Sequence, residues 1–309
     1  MKYKEWLDEW LENYIKPSAK GKTYGRYCEI ANQHVKSLLG EREVEEITPV
    51  VIQKAITQLS ERGNLITGKG LSPNSVNAIV TVIQGSLKLA HLAGITAEYT
   101  ADRVRRPKIT EKAVSCFSRA EQKRIEQAVL ESGKPKLFGI VLCLYTGLRI
   151  GELLALEWTD VDFAKGEITV SKSCRDGKNG EGKFCRITDC PKTNSSVRVI
   201  PLPRQIIPAL RDVKKKSGGR YVVDGGKKTV PVRSYQKTFS RLLENLGIAH
   251  KGFHALRHTF ATRAIEYGMD VKTLSELLGH KSPGVTLSRY VHSLMEHKRE
   301  MMNRLGKNL

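Results

Sequence analysis

The chain has 309 residues, with 52 Lys and Arg against 32 Asp and Glu for a formal charge of +20, and it is 40% hydrophobic and 27% charged. That length suits about two domains with a substantial core, and the composition excludes a disordered chain. No apolar run approaches the roughly 18 residues that cross a bilayer. MKYKEWLDEW is no signal peptide, and six cysteines without a CxxC pair exclude a disulfide-stapled secreted domain, so the reducing cytoplasm is the expected setting.

The charge is uneven. Residues 1–100 carry 12 basic and 11 acidic side chains, whereas residues 101–309 carry 40 and 21. So basic a segment faces a polyanion, and nucleic acid is favoured over a membrane because no long basic helix with a broad apolar face is visible.

In chain order, residues 1–100 read as four amphipathic helices. Trp6, Leu7, Trp10, Leu11 and Tyr14 recur at helical spacing, and Pro17 and Gly21 break the run. Tyr24, Tyr27, Ala31, Val35 and Leu38 form a second stripe, stopped by Gly40. Thr48-Pro49 and Ser72-Pro73 are N-caps followed by Pro at the first helical position. They open the stripes Ile52–Leu59 and Val76–Ala90, which Gly63 and Gly94 stop. Four such helices with short connections predict a small bundle over residues 1–102.

Residues 103–116 are basic, carry Pro107 and lack periodicity, which predicts an interdomain linker. Its Arg103, Arg105, Arg106 and Lys108 suit a strap across a DNA backbone or a solvated tether. Residues 117–309 form the second predicted domain. Ser118 and Glu121 make a capping box, and Leu137–Leu144 reads as a buried helix broken by Gly147. Strand-like runs follow at Thr159–Phe163, Glu167–Ser171 and around Val197–Ile200, with the Gly- and Lys-rich Arg175–Lys183 between them read as a loop. The remainder is mostly helical. The fold class is therefore mainly α with a small antiparallel β-sheet (α+β).

Six residues could carry chemistry. His254 and Arg257 share a helix face in HALRHTFATRAIEYG. Arg149 follows Gly147 in TGLRIGELLAL, with Glu152 three residues on to hold its guanidinium. His280 emerges past Gly279 in LLGH, and Tyr290 stands in SRY. Lys192 precedes a strand in PKTNSSVRVIPL. Each alone has an ordinary structural explanation. Together they compose a phosphoryl-transfer site: arginines to offset charge on a pentavalent phosphate, a tyrosine nucleophile, and Lys or His to move the protons.

These stretches, in this order and spacing over residues 117–291, resemble the tyrosine recombinase (phage integrase) family, and the resemblance implies a mobile-element integrase. The bundle resembles the family's core-binding (SAM-like) domain, so the likeness covers nearly the whole chain. The resemblance implies that Tyr290 attacks the scissile phosphodiester, Arg149 and Arg257 grip its non-bridging oxygens, and His254 assists proton transfer. His280 would hydrogen-bond the phosphate, Lys192 would protonate the departing 5′ oxygen, and Glu152 would support. It further implies a 3′-phosphotyrosine intermediate and a Holliday junction without metal, ATP or other cofactor. The partners implied are double-stranded DNA with inverted-repeat core sites, a homotetramer on two duplexes, and accessory DNA-bending or excisionase proteins. The tail VHSLMEHKREMMNRLGKNL, with Leu294, Met295, Met301, Met302 and Leu305, is expected to be a helix docking in trans on a neighbouring protomer. No arm-binding domain is expected ahead of the bundle. A type IB topoisomerase and a DNA-binding regulator with a decayed site are the competing readings.

Overall fold

The computed structural model describes residues 1–110, 115–178, 184–189, 197–224, 230–280 and 282–290, together with 299, 302, 303 and 306. The chain divides into two compact units, Met1–Lys112 and Ala113–Leu309.

The first unit is built from α1 (Tyr3–Trp10), α2 (Gly21–Ile30), α3 (Pro49–Arg62) and α4 (Pro73–Leu92). α1 and α2 each run on through a wider, π-type turn, Leu11–Ile15 and Ala31–Val35. The anticipated caps are in place: Thr48 accepts from the Val51 amide, and Ser72 from the Ser75 amide. α1 buries Tyr3, Trp6, Leu7 and Trp10, whereas Tyr14, placed on the same stripe by periodicity, is 40% exposed. Two of these side chains also satisfy their polar atoms on α4. Trp6 Nε1 donates to the Ser86 carbonyl at 2.9 Å, and the Tyr3 hydroxyl lies 2.6 Å from Ser86 Oγ. A buried aromatic polar atom without a partner would cost about 1–3 kcal/mol, so these bonds set the register of α1 on α4.

The basic segment after α4 begins as part of this unit. Gln84 Nε2 donates to the Ala101 carbonyl at 2.8 Å, and Asn77 Nδ2 to the Pro107 carbonyl at 3.1 Å. Gln53 takes the Arg105 amide at 2.9 Å and returns a bond to its carbonyl at 3.4 Å. Arg106 reaches Thr81 Oγ1 at 3.1 Å and also the Gln84 side-chain oxygen, which engages its guanidinium in cis. Arg103, Arg105 and Lys108 remain exposed or partly so.

The second unit opens with the Ser118–Glu121 capping box on α5 (Arg119–Ser132). α6 (Pro135–Thr146) is buried nearly all round and forms the centre of the core. α7 (Ile150–Ala155) leads to β1 (Val161–Asp162), β2 (Glu167–Val170) and β5 (Arg198–Pro201), a three-stranded antiparallel sheet in the order β1-β2-β5. Ile168 pairs with Val161 on one side and Ile200 on the other. α8 (Ile207–Lys216), α9 (Val232–Asn245), α10 (His254–Glu266), α11 (Val271–Leu278) and α12 (Pro283–Tyr290) complete the unit.

The sequence reading needs one correction here. Arg175–Lys183 was expected to be a loop, yet its whole described part, 175–178, belongs to a hairpin of β3 (Ser173–Lys178) and β4 (Phe184–Asp189), paired from Ser173↔Asp189 to Lys178↔Phe184. No alternation announces β3, because its partners are not side-chain pockets. The Cys174 carbonyl would lie 2.5 Å from a Cβ on Gly151 of α7, so that glycine permits backbone contact. Asp176 caps α9 by accepting the Val232 and Arg233 amides at 2.9 and 3.0 Å.

The start of this unit is stapled to α10. The Phe117 amide donates to Thr259 Oγ1 at 2.8 Å, Arg263 Nη2 donates to the Phe117 carbonyl at 2.9 Å, and Lys251 pairs with Glu121 at 2.8 Å. Phe117 itself is fully buried against Phe239.

Gly147, which ends α6, has φ of 65°, and a Cβ there would meet Phe260 at 2.6 Å and Leu278 at 2.8 Å. Gly94 has φ of 75° with nothing within 4 Å of such an atom. Gly94→Ala is therefore expected to cost only the left-handed backbone term, about 1–2 kcal/mol. Gly147→Ala should add an overpacking term of about 1–3 kcal/mol. Urea unfolding with unchanged slope checks both values; equal costs at the two sites would contradict the close-approach argument.

Candidate active site

The site is organised by the end of α11. Asp270 opens this helix by accepting the Thr273 amide at 2.9 Å, and Gly279 closes it with φ of 62°. The last carbonyls of any helix lack partners within it and carry partial negative charge. Here three successive carbonyls each accept from a different arginine. Leu277 takes Arg198 Nε at 2.6 Å, Leu278 takes Arg257 Nη2 at 2.6 Å, and Gly279 takes Arg149 Nη2 at 3.2 Å. Segments over one hundred residues apart in sequence are thereby gathered at one turn.

Arg257, on α10, is 1% exposed. Its Nη1 donates to the Gly147 carbonyl at 2.8 Å, so one guanidinium joins the ends of α6 and α11. Gly147 and Gly279 are the positions where this crowding requires a glycine, since a Cβ on Gly279 would lie 3.0 Å from Arg198 Nη1. Arg149 caps α7. Its Nη1 reaches Glu152 Oε1 at 2.7 Å and its amide reaches Oε2 at 2.9 Å, while 39% of its side chain stays exposed. Glu152 is buried and also takes Arg198 Nη1 at 3.2 Å and Nη2 at 2.8 Å. Burial pushes the Glu152 carboxyl up, but the hydrogen bond and charge of Arg198, with Arg149 behind them, outweigh it and hold the group down at about 2.

His280 follows the turn directly. Its amide donates to the Ser275 carbonyl at 3.0 Å, and its Nδ1 lies 2.7 Å from Oγ1 of the buried Thr286 on α12, which orients the ring. His254 is exposed in the first turn of α10, three residues before Arg257, with its ring edge-on to His258 at 4.6 Å. Tyr290 is the last residue of α12, a helix that packs against α11 and α10. Lys192 and all but four residues of the tail 291–309 lie outside the described residues. Among the described residues no three His, Cys, Asp or Glu side chains converge as a metal site would need.

The expected residues Arg149, Arg257 and His280 thus meet at one turn, with Glu152 in support, and His254 stands one helical turn from Arg257. Arg198 was missed. The signal was present: with Ile200 and Leu202 facing the core, period two turns Arg198 inward and Val199 outward, as found.

Such a cluster of cations on a rigid frame can hold a phosphate diester and stabilise charge that develops on it. The model of the phage integrase family matches residues 116–297, and that of the phage integrase N-terminal SAM-like domain matches residues 2–60. A "Tyrosine recombinase XerC-like" protein of Caldanaerobacter subterraneus is 30% identical, over 97% of this chain and 81% of its own. The Tn1549 transposon integrase, solved with transposon right end DNA, superposes with a TM-score of 0.81 at 22% identity, covering 99% of this chain and 100% of its own. Lambda integrase, solved as a tetramer bound to a Holliday junction, gives 0.68 at 21% identity over 92% and 78% of the two chains.

The depressed Glu152 carboxyl contributes stability that is fully present above its ordinary 4.5 and is lost as pH falls through about 2. Glu152→Gln is therefore expected to be destabilised by roughly 3 kcal/mol near neutral pH. That deficit should shrink between those two pH values. Denaturant titrations of both proteins at pH 7 and pH 3 measure it, and a deficit that grows on acidification would be inconsistent with a charged Glu152.

Proposed function

This chain belongs to the phage integrase family, the tyrosine recombinases, and on that premise we propose that it breaks and rejoins DNA at specific sites through a covalent 3′-phosphotyrosine link. The observation that carries this reading is the α11 turn, where Arg149, Arg257 and His280 meet on one rigid frame.

The scissile phosphate sits against the two guanidinium groups, which offset the charge that builds on its non-bridging oxygens as phosphorus becomes pentavalent. Tyr290 Oη attacks phosphorus while His254 assists removal of its proton. The bond from phosphorus to the 5′ oxygen breaks, and Lys192 gives that oxygen a proton. His280 hydrogen-bonds the phosphate. In the second half-reaction a 5′-hydroxyl from the partner duplex attacks the phosphotyrosine and frees Tyr290. Ester bond energy is conserved throughout, so the reaction calls for neither ATP nor a metal.

The first unit acts as the core-binding domain, residues 1–102, and the catalytic domain spans 117–309. Four protomers act on two duplexes with inverted-repeat core sites, passing through a Holliday junction, with the tail of each docked on its neighbour. Accessory bending or excisionase proteins steer direction, and the protein works on the nucleoid. In the linker 103–116, Arg103, Arg105 and Lys108 supply backbone contacts, and Arg106 joins them only by giving up its bonds to α4.

Two experiments test this reading. On a nicked suicide duplex made from sequence flanking the gene, Tyr290→Phe is expected to abolish the covalent protein–DNA adduct while binding stays near wild type; adduct formation by the Phe variant would remove Tyr290 from its role. Affinity for the same duplex should fall by about 10³–10⁵ between roughly 50 and 200 mM salt, the loss for on the order of ten phosphate contacts. A flat response would contradict the polyanion argument.

A further inference from the structure

Arg198 lies within PKTNSSVRVIPL, where the resemblance gives the reacting role to Lys192, yet it is firmly engaged at the α11 turn. Its Nη1 and Nη2 fork onto the two oxygens of Glu152 at 3.2 and 2.8 Å, and its Nε donates to the Leu277 carbonyl at 2.6 Å. Its side chain is 7% exposed, and the turn leans on it so closely that a Cβ on Gly279 would lie 3.0 Å from Nη1. Only two links separate it from Arg149. The carboxylate that Arg198 grips is the one that holds Arg149 Nη1 at 2.7 Å. The turn it braces supplies the Gly279 carbonyl that holds Arg149 Nη2, and the Leu278 carbonyl that holds Arg257.

We propose that Arg198 is a positioning residue for strand cleavage: it fixes Glu152 and the 277–279 turn together, and through them sets the guanidinium of Arg149, and that of Arg257, for the phosphate. The proposal rests on the functional reading above. A planar fork with a third donor at Nε suits this double duty, which a lysine ammonium cannot reproduce. Free of such bracing, Arg149 would be a half-exposed side chain with several rotamers, and a displacement of about 1 Å at a reacting group costs on the order of 100-fold in rate.

The arrangement also carries a pH signature. Among the described residues, the groups that face Glu152 are Arg149 at the start of its own helix, Arg198 on β5 and the buried Cys143 thiol on α6. With Arg198 removed, burial acts on the carboxyl against Arg149 alone, so the carboxyl rises and protonates at a less acidic pH. Arg149 then loses its clamp as the medium is acidified.

The test compares full-length wild type, Arg198→Met, Arg198→Lys, Glu152→Gln and the Arg198→Met/Glu152→Gln double variant in single-turnover cleavage of the suicide duplex, with DNA affinity and thermal melting in parallel. The double variant removes both buried charges, which keeps a folded protein available if Arg198→Met alone unfolds. The expected result is a 10- to 100-fold slower cleavage by Arg198→Met at about unchanged affinity, with partial recovery in Arg198→Lys. An acid limb absent from wild type should appear in the Arg198→Met profile. The double variant should be no slower than the slower single variant, because both act along one chain of contacts. Cleavage at the wild-type rate by either folded protein lacking the Arg198 side chain overturns the proposal. So do single-variant losses that multiply in the double, since the two residues would then act separately. Tyr290→Phe and Arg149→Ala run alongside: if these still cleave, the functional reading itself has failed, and if they do not, the Arg198 outcomes stand on their own.

Discussion

The second unit depends on one electrostatic fact: a helix that ends at a glycine presents carbonyl oxygens without partners, and at α11 three of these in a row are answered by guanidinium groups. Buried cations are costly unless their donors are matched. Here the matching partners are largely backbone oxygens, which carry no full charge. An arginine held by carbonyls keeps most of its field available for an incoming anion, whereas one neutralised by a carboxylate does not. Arg257 is held in this way at two helix ends, and Arg149 by one carbonyl and one carboxylate.

The frame around the turn is stiff for related reasons. α6 is buried nearly all round, and Gly147 and Gly279 bring chain ends closer than any side chain would allow. Glu152 stays ionised across the ordinary pH range because two arginines surround it. At the start of the unit, Phe117 is bonded to Thr259 and Arg263 on α10, the helix that carries His254 and Arg257. In the first unit, residues 101–107 are held by Gln53, Asn77 and Gln84. Within each unit, then, side chains bind the backbone of the adjoining residues: Gln53, Asn77 and Gln84 in the first unit, and Thr259 and Arg263 of α10 in the second.

Much of this was legible beforehand. The four stripes of the first unit, the caps at Thr48, Ser72 and Ser118, and the three strands of the main sheet follow from periodicity and cap chemistry, which are local. The six candidate residues stood out as a set because their residue types, order and spacing are distinctive, and the structure brings Arg149, Arg257 and His280 to one turn. The hairpin at 173–189 was not, since β3 is fixed by a backbone contact at Gly151 and by Asp176 at the start of α9, neither of which leaves an alternating pattern. Arg198 was not singled out because Val197, Val199 and Ile200 alone marked that strand, and only its register with Ile200 turns the charged side chain inward.

From the sequence alone came the helical bundle, the glycine stops, the asymmetry of charge and the candidate groups for a phosphate, because each of these is written in residue type and spacing. Which atoms those groups lean on was decided by the tertiary structure. A backbone carbonyl is the same in every residue, so no pattern of letters marks the three that α11 leaves unpaired; they are found only when strand, helix and turn are folded against one another.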